Sequence, residues 1–138
     1  MPIITQWDND EKTIVRHDFQ GRWTWEEFFE AERRANELVA TVTHRVDIIS
    51  NMREGAMPHQ GALANARSVI HRLKANLGVI VVVVNPLLAA TTKVFKKVDK
   101  DFDRVVRAAN SVQDARQVIE QERAKAAYTT AKLETSSQ

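Results

Sequence analysis

The hydrophobic and polar positions of the chain predict a sheet built around one central strand. Its clearest apolar run lies within residues 77–84, where six consecutive β-branched residues leave no polar face. A run without alternation is typical of a strand covered on both sides, as in parallel sheets with helices on each face. Asn85 and Pro86 should end this strand, because proline cannot donate to a ladder and suits the first turn of a helix.

Shorter runs of β-forming residues predict the other strands of the sheet. Residues 3–7 and 13–19 are rich in such residues, and the polar turn formers between them predict an N-terminal hairpin. A third strand is predicted over residues 45–50 and a short fifth strand over residues 104–109. The run over residues 77–84 would then be the fourth strand of five.

Apolar residues at helical spacing predict four helices between these strands. The first follows Thr24, which forms a capping box with Glu27. The second is expected over residues 61–75, and the third from Pro86 to Phe102. A fourth should begin after residue 111 and lose its periodicity near residue 126.

The longest irregular stretch predicted inside the domain covers residues 51–60. Loops held on a rigid scaffold are where function tends to lie, and methionine suits adaptable contact surfaces. We therefore expect Met52 and Met57 to contribute to a contact surface, although both could equally fold back onto the sheet edge. The predicted partner-binding residues are Ser50, Asn51, Met52, Met57, Pro58, His59, Gln60, Leu63, Asn85 and Pro86.

Strands and helices that alternate in this order predict an α/β domain with a mostly parallel sheet and right-handed crossovers. The order and several segments resemble the STAS family, in particular its SpoIIAA-like members. The segments that carry the resemblance are residues 25–28, 46–49, 58–63 and 76–82, and the likeness extends from Ile3 to about Glu122. It implies a mixed sheet of about five strands with about four helices. A domain over residues 1–125 and a disordered tail over residues 126–138 are then expected.

The chain departs from the STAS pattern at the regulatory position. In anti-sigma-factor antagonists, a phosphorylatable serine or threonine comes just before a glycine in the loop after the third strand. Gly61 matches that glycine, but Pro58, His59 and Gln60 precede it. The resemblance therefore implies a STAS-like module without the family's phosphoacceptor.

Composition and charge narrow the function classes. With 138 residues the chain is long enough for one domain. The absence of cysteine excludes disulfides and thiolate metal sites. No signal peptide is recognisable, and the valine run is too short to cross a bilayer, so we expect a cytoplasmic protein without membrane insertion. The net charge is only +2, and the lysines over residues 93–100 are interleaved with or beside aspartates, so nucleic-acid binding is not expected.

Candidate chemistry is sparse. No glycine-rich phosphate motif is present, and the histidines lack partners at metal-ligand spacing on a shared face. His17 and Asp18 are adjacent on a strand and should point to opposite faces. His59 lies near the predicted start of the second helix, and the simpler interpretation is that it is exposed and has no functional role. We therefore expect no catalytic residues, no cofactor and no metal.

Two functions from different classes remain. The first is a non-enzymatic STAS-like interaction or regulatory module, which would bind a protein partner or a second copy of the chain. The alternative is a carrier of a small apolar or lipid-like ligand, held between the first helix and the sheet. Trp7, Trp23 and Trp25 all lie early in the chain and could either form core or line such a pocket. An enclosed apolar cavity would favour the carrier, whereas an exposed apolar patch around Met52, Met57 and Leu63 would favour the interaction module.

Overall fold

A computed structural model describes residues 2–58 and 60–136 and places five strands in one sheet, in the order β1-β2-β3-β4-β5. The strands are β1 (Ile3–Trp7), β2 (Ile14–Arg22), β3 (Val46–Ala56), β4 (Leu77–Val83) and β5 (Val106–Ala109). β1 pairs antiparallel with β2, and all the other neighbours are parallel. The predicted α/β class with a mixed, mostly parallel sheet is confirmed.

Five helices cover this sheet within the described residues. They are α1 (Trp25–Ala40), α2 (Ala62–His71), α3 (Pro86–Val98), α4 (Lys100–Val105) and α5 (Val112–Ser136). Helices α1 to α4 pack on one face, where Ile80 of β4 joins their apolar side chains. α5 packs on the other face, where Val81 of β4 contacts the cluster that includes Ile119. The central strand is therefore covered on both sides, as its unbroken apolar run predicts.

The predicted helix starts are confirmed in atomic detail. The Thr24 hydroxyl accepts a hydrogen bond from the Glu27 amide, and the Glu27 carboxylate accepts one from the Thr24 amide, each at 3.1 Å. At α3, the Asn85 side-chain oxygen accepts from the Leu88 amide at 2.9 Å, and Pro86 occupies the first turn. These caps satisfy amides that have no partner inside the helix.

The predicted loop over residues 51–60 is wrong over most of its length. β3 continues to Ala56, because β2 also continues past its predicted end and its last residues pair with residues 54–56. Asn51 and Met52 are therefore strand residues. His59 lies outside the described residues.

Several further boundaries differ from the prediction, including the start of β5, which is Val106 rather than residue 104. α2 ends at His71 rather than near residue 75, and the long third helix divides into α3 and α4. The division occurs because Asp99 is extended and its side chain caps α4 through the Phe102 amide. α5 continues to Ser136, although a disordered tail was expected from residue 126. Residues 124–135 are all exposed, so they show no apolar stripe from which helix could be predicted.

Candidate functional site

An apolar cavity lies between the sheet and the helices on its α1–α4 face. Its volume is about 110 Å³. The sheet provides the floor, with Ile48, Ile80 and Val82 among its residues, and α1, α2 and α3 provide the walls. A cavity of this size is unusual because protein interiors are packed about as densely as organic crystals.

Alanines explain why the space under α1 and α2 is not filled. Ala31 and Ala35 of α1 and Ala62 and Ala66 of α2 all line the cavity. A methyl side chain is too short to fill the gap between a helix and the sheet beneath it. Val69 is the only buried residue of α2 and is still 9% exposed. α2 therefore covers the cavity without packing tightly against the sheet.

A groove adjoins the cavity at the carboxyl ends of β2, β3 and β4. Its volume is about 700 Å³. The residues that line both spaces are Trp23, Met52, Met57, Ala62, Leu88 and Thr91. In open α/β sheets, ligands bind in the crevice outside the carboxyl ends of the strands. The groove therefore provides a route from solvent to the cavity at the expected edge of the sheet.

Aromatic side chains surround the junction of the cavity and the groove. The Trp23 ring centroid lies 5.0 Å from that of Trp25 and 5.1 Å from that of Phe19. Trp23 also stacks on Phe28, so the two residues form a hydrophobic staple around the Thr24 cap. Trp7 lies elsewhere and packs against the core beside α1. Two of the three tryptophans thus line the cavity, and the third is core.

His17 and Ser50 introduce polar groups into the floor of the cavity. They are register partners on β2 and β3, with exposed fractions of only 7% and 6%. His17 Nδ1 is 2.8 Å from the hydroxyl oxygen of Thr5 on β1. Burial lowers the pKa of His17 to about 4, and the nearby Arg34 guanidinium acts in the same direction. The imidazole is therefore uncharged at neutral pH.

Polar contacts hold α2 over the cavity. At its start, the Trp25 indole nitrogen donates to the Gln60 carbonyl at 2.8 Å. Just after its end, Arg72 forms an ion pair with Glu32 of α1 at 3.0 Å. Burial raises the pKa of Glu32, although the Arg72 guanidinium opposes this shift. Such contacts can break and re-form more readily than tight apolar packing.

The predicted partner-binding residues separate into those that line these spaces and those that do not. Met52, Met57, Pro58 and Asn85 line the groove, and Ser50 lines the cavity instead. The four other described residues, which line neither space, are Asn51, Gln60, Leu63 and Pro86. Asn51 donates to Asp18, and the backbone of Gln60 accepts from Trp25. Met52 is buried, so it folds back onto the sheet.

A pocket between the first helix and the sheet is predicted only as an alternative, and the sequence assigns no place in it to His17. Val15, His17 and Phe19 alternate along β2 and all face the α1–α4 side of the sheet. A histidine between two core-facing residues is the signal that could have indicated a buried polar group.

A buried carboxylate at the opposite end of the sheet is structural. Asp47 is fully buried and accepts hydrogen bonds from the Val79 amide at 2.8 Å, from Arg123 at 2.8 Å and from Arg45 at 2.9 Å. Both carboxylate oxygens therefore have donors. Because Arg123 belongs to α5, the network links α5 to the sheet. Gly78 provides the room, because a Cβ there would lie 2.1 Å from the Asp47 carboxylate.

No group of three or more histidine, aspartate or glutamate side chains within residues 2–58 and 60–136 is placed to hold a metal ion. Over the same ranges, no helix combines the length and the apolar character that a membrane span requires. No family model matches the chain, and no curated protein or solved structure shows a significant match to it.

Proposed function

We propose that the protein binds a small apolar or lipid-like molecule between α1, α2 and the sheet, as a carrier rather than as an enzyme. The observation that carries this proposal is the apolar cavity that adjoins the groove at the carboxyl ends of the strands. His17 and Ser50 place two hydrogen-bonding groups on the cavity floor, within reach of a molecule bound there.

The volumes suit a ligand that occupies both spaces. The cavity of about 110 Å³ is somewhat smaller than the engineered cavity of about 150 Å³ that binds benzene. The groove of about 700 Å³ falls within the range of about 300–1,000 Å³ for small-molecule sites. A ring or a short chain would fill the cavity, and the rest of the molecule would lie along Met52, Met57 and Leu88.

The cavity also has an energetic cost. At about 24 cal/mol per Å³, an empty space of this size lowers the free energy of unfolding by about 2–3 kcal/mol. That is a large fraction of the 5–15 kcal/mol by which domains are stable. A ligand that fills the cavity would recover this free energy.

Native mass spectrometry of the purified protein tests the proposal. We expect a fraction of the protein to carry bound small molecules, which organic extraction should release. Ala66→Phe, which fills the cavity, should be purified without them. Ala64→Phe is the matched control, because Ala64 is on the exposed side of the same helix. Bare wild-type protein, together with no saturable binding of an added apolar probe, would contradict the carrier function.

A second candidate function is the STAS-like interaction module, which the resemblance of the sequence implies. One observation favours it: α3 presents an apolar stripe to solvent, formed by Leu87, Val94 and Val98 with exposed fractions of 79%, 55% and 55%. Stripes of this kind often mark interfaces. We propose self-association through this face. Sedimentation of the wild type should then show a dimer that Val94→Glu dissociates and Gln117→Glu, on the exposed side of α5, does not. A monomeric wild type would exclude self-association through α3.

A further inference from the structure

The sheet register places polar side chains in a row across the cavity floor. Thr5 pairs with His17, His17 with Ser50, and Ser50 with Val82. Register partners on neighbouring strands project from the same face of a sheet. His17 and Ser50 therefore lie side by side, surrounded by apolar residues and facing the helices.

These two side chains retain unused hydrogen-bonding capacity. His17 has one hydrogen-bond partner, Thr5, through Nδ1, which leaves Nε2 without a partner among the described residues. The Ser50 hydroxyl has no partner there either, although the residue is only 6% exposed. Among the described residues, the buried side-chain atoms that lack a partner are Trp23 Nε1 and Arg34 Nε, whereas His17 Nε2 and the Ser50 hydroxyl are open to the cavity. Two adjacent groups with unused hydrogen-bonding capacity on the floor of a cavity indicate a position for a polar group of a ligand.

We propose that His17 and Ser50 recognise one uncharged hydrogen-bonding group, a hydroxyl or a carbonyl, at the buried end of an otherwise apolar ligand. This inference rests on the proposed function and specifies its ligand class. The apolar body of the ligand extends from the cavity into the groove, along Met52 and Leu88.

The charges around the cavity favour an uncharged ligand group. Among the described residues, Glu32 is the only side chain of formal charge that lines the cavity, and it is paired with Arg72. The Arg34 guanidinium is near His17 but does not line the cavity, so a ligand carboxylate would lose its hydration without contacting a cation, and it would be repelled by Glu32. An ammonium group would have to compete with Arg72 for the same carboxylate. The neutral imidazole of His17 and the hydroxyl of Ser50 instead match a neutral donor or acceptor.

A series of ligands with one body and different head groups tests the inference. We would measure displacement of the neutral fluorophore N-phenyl-1-naphthylamine by octan-1-ol, 1-chlorooctane, octanoate and octylammonium. The wild type should bind octan-1-ol about tenfold more tightly than 1-chlorooctane, the effect of about one net hydrogen bond. Octanoate and octylammonium should bind more weakly than the alcohol.

Variants locate the preference on the two side chains. Ser50→Ala and His17→Phe should each reduce the preference for the alcohol over the chloride, while the fluorophore still binds. Thr92→Val is the matched control, because the Thr92 hydroxyl also lines the cavity but already donates to the Leu88 carbonyl at 2.9 Å. Its preference should remain that of the wild type. If His17→Phe does not fold, Ser50→Ala and the ligand series on the wild type decide the question.

The outcomes separate this inference from the proposed function. If the fluorophore binds but the alcohol and the chloride bind equally, or octanoate binds best, the head-group inference is overturned and the carrier function stands. The same holds if Thr92→Val loses the preference as fully as Ser50→Ala. If neither the fluorophore nor any of the octyl ligands binds, both proposals fail.

Discussion

Filling the cavity should stabilise the protein, which is unusual for a substitution that enlarges a side chain facing the core. Ala66→Leu adds apolar carbon atoms where Ala66 lines the cavity. At about 0.8 kcal/mol per buried CH₂ group, the gain is about 2 kcal/mol. Fixing the leucine rotamer costs about 0.5–1 kcal/mol. The free energy of unfolding should therefore rise by about 1–1.5 kcal/mol.

Urea denaturation measures this change, with ligand first removed by refolding. Ala64→Leu provides the reference, since Ala64 is exposed on the same helix and its substitution should change the free energy of unfolding by less than about 0.5 kcal/mol. Tightly filled cores respond to enlargement with a loss of about 1–3 kcal/mol. A loss of that size for Ala66→Leu would refute the presence of usable space under α2.

Three further predictions concern other parts of the structure. Gly78→Ala should lower the free energy of unfolding by about 3–5 kcal/mol in urea denaturation, since its Cβ would displace the buried Asp47 carboxylate from its partners; a loss under 1 kcal/mol would contradict this. Because the pKa of His17 falls from 6.5 to about 4 on folding, the unfolded state binds more protons between these values. Stability should therefore be lost as the pH falls through this window, by up to about 3 kcal/mol, and denaturation of His17→Phe should show a smaller loss. Arg72→Ala removes the ion pair that holds the end of α2 to Glu32, so stopped-flow measurement should show faster release of a bound fluorophore; an unchanged rate would show that this contact does not control release.

The sequence predicts those features of the fold that depend on local patterns. The unbroken run of β4, the capping box at Thr24 and the cap at Asn85 are each encoded within a few residues. The extension of β3 to Ala56 is not, because it depends on pairing with the end of β2, which lies far away in the chain. The end of α5 was missed for a different reason, since its last turns are exposed and carry no apolar stripe.

The candidate site was only partly accessible to sequence reasoning. The predicted partner-binding residues include Met52, Met57 and Asn85, and all three line the groove. The cavity is a difference between the volume that the helices enclose and the volume that their alanines fill, and no sequence pattern reports that difference. The partnership of His17 with Ser50 arises from sheet register, which a prediction of individual strands does not specify.

Energy transfer from tryptophan to a bound fluorophore tests the central claim most directly. Trp23 and Trp25 line the cavity, so N-phenyl-1-naphthylamine bound there should quench tryptophan emission and fluoresce in return, saturating at about one molecule per chain. Ala66→Phe should abolish this signal and Ala64→Phe should retain it. Equal signals from the two variants, or a signal that rises without saturation, would contradict an apolar ligand site between α1, α2 and the sheet.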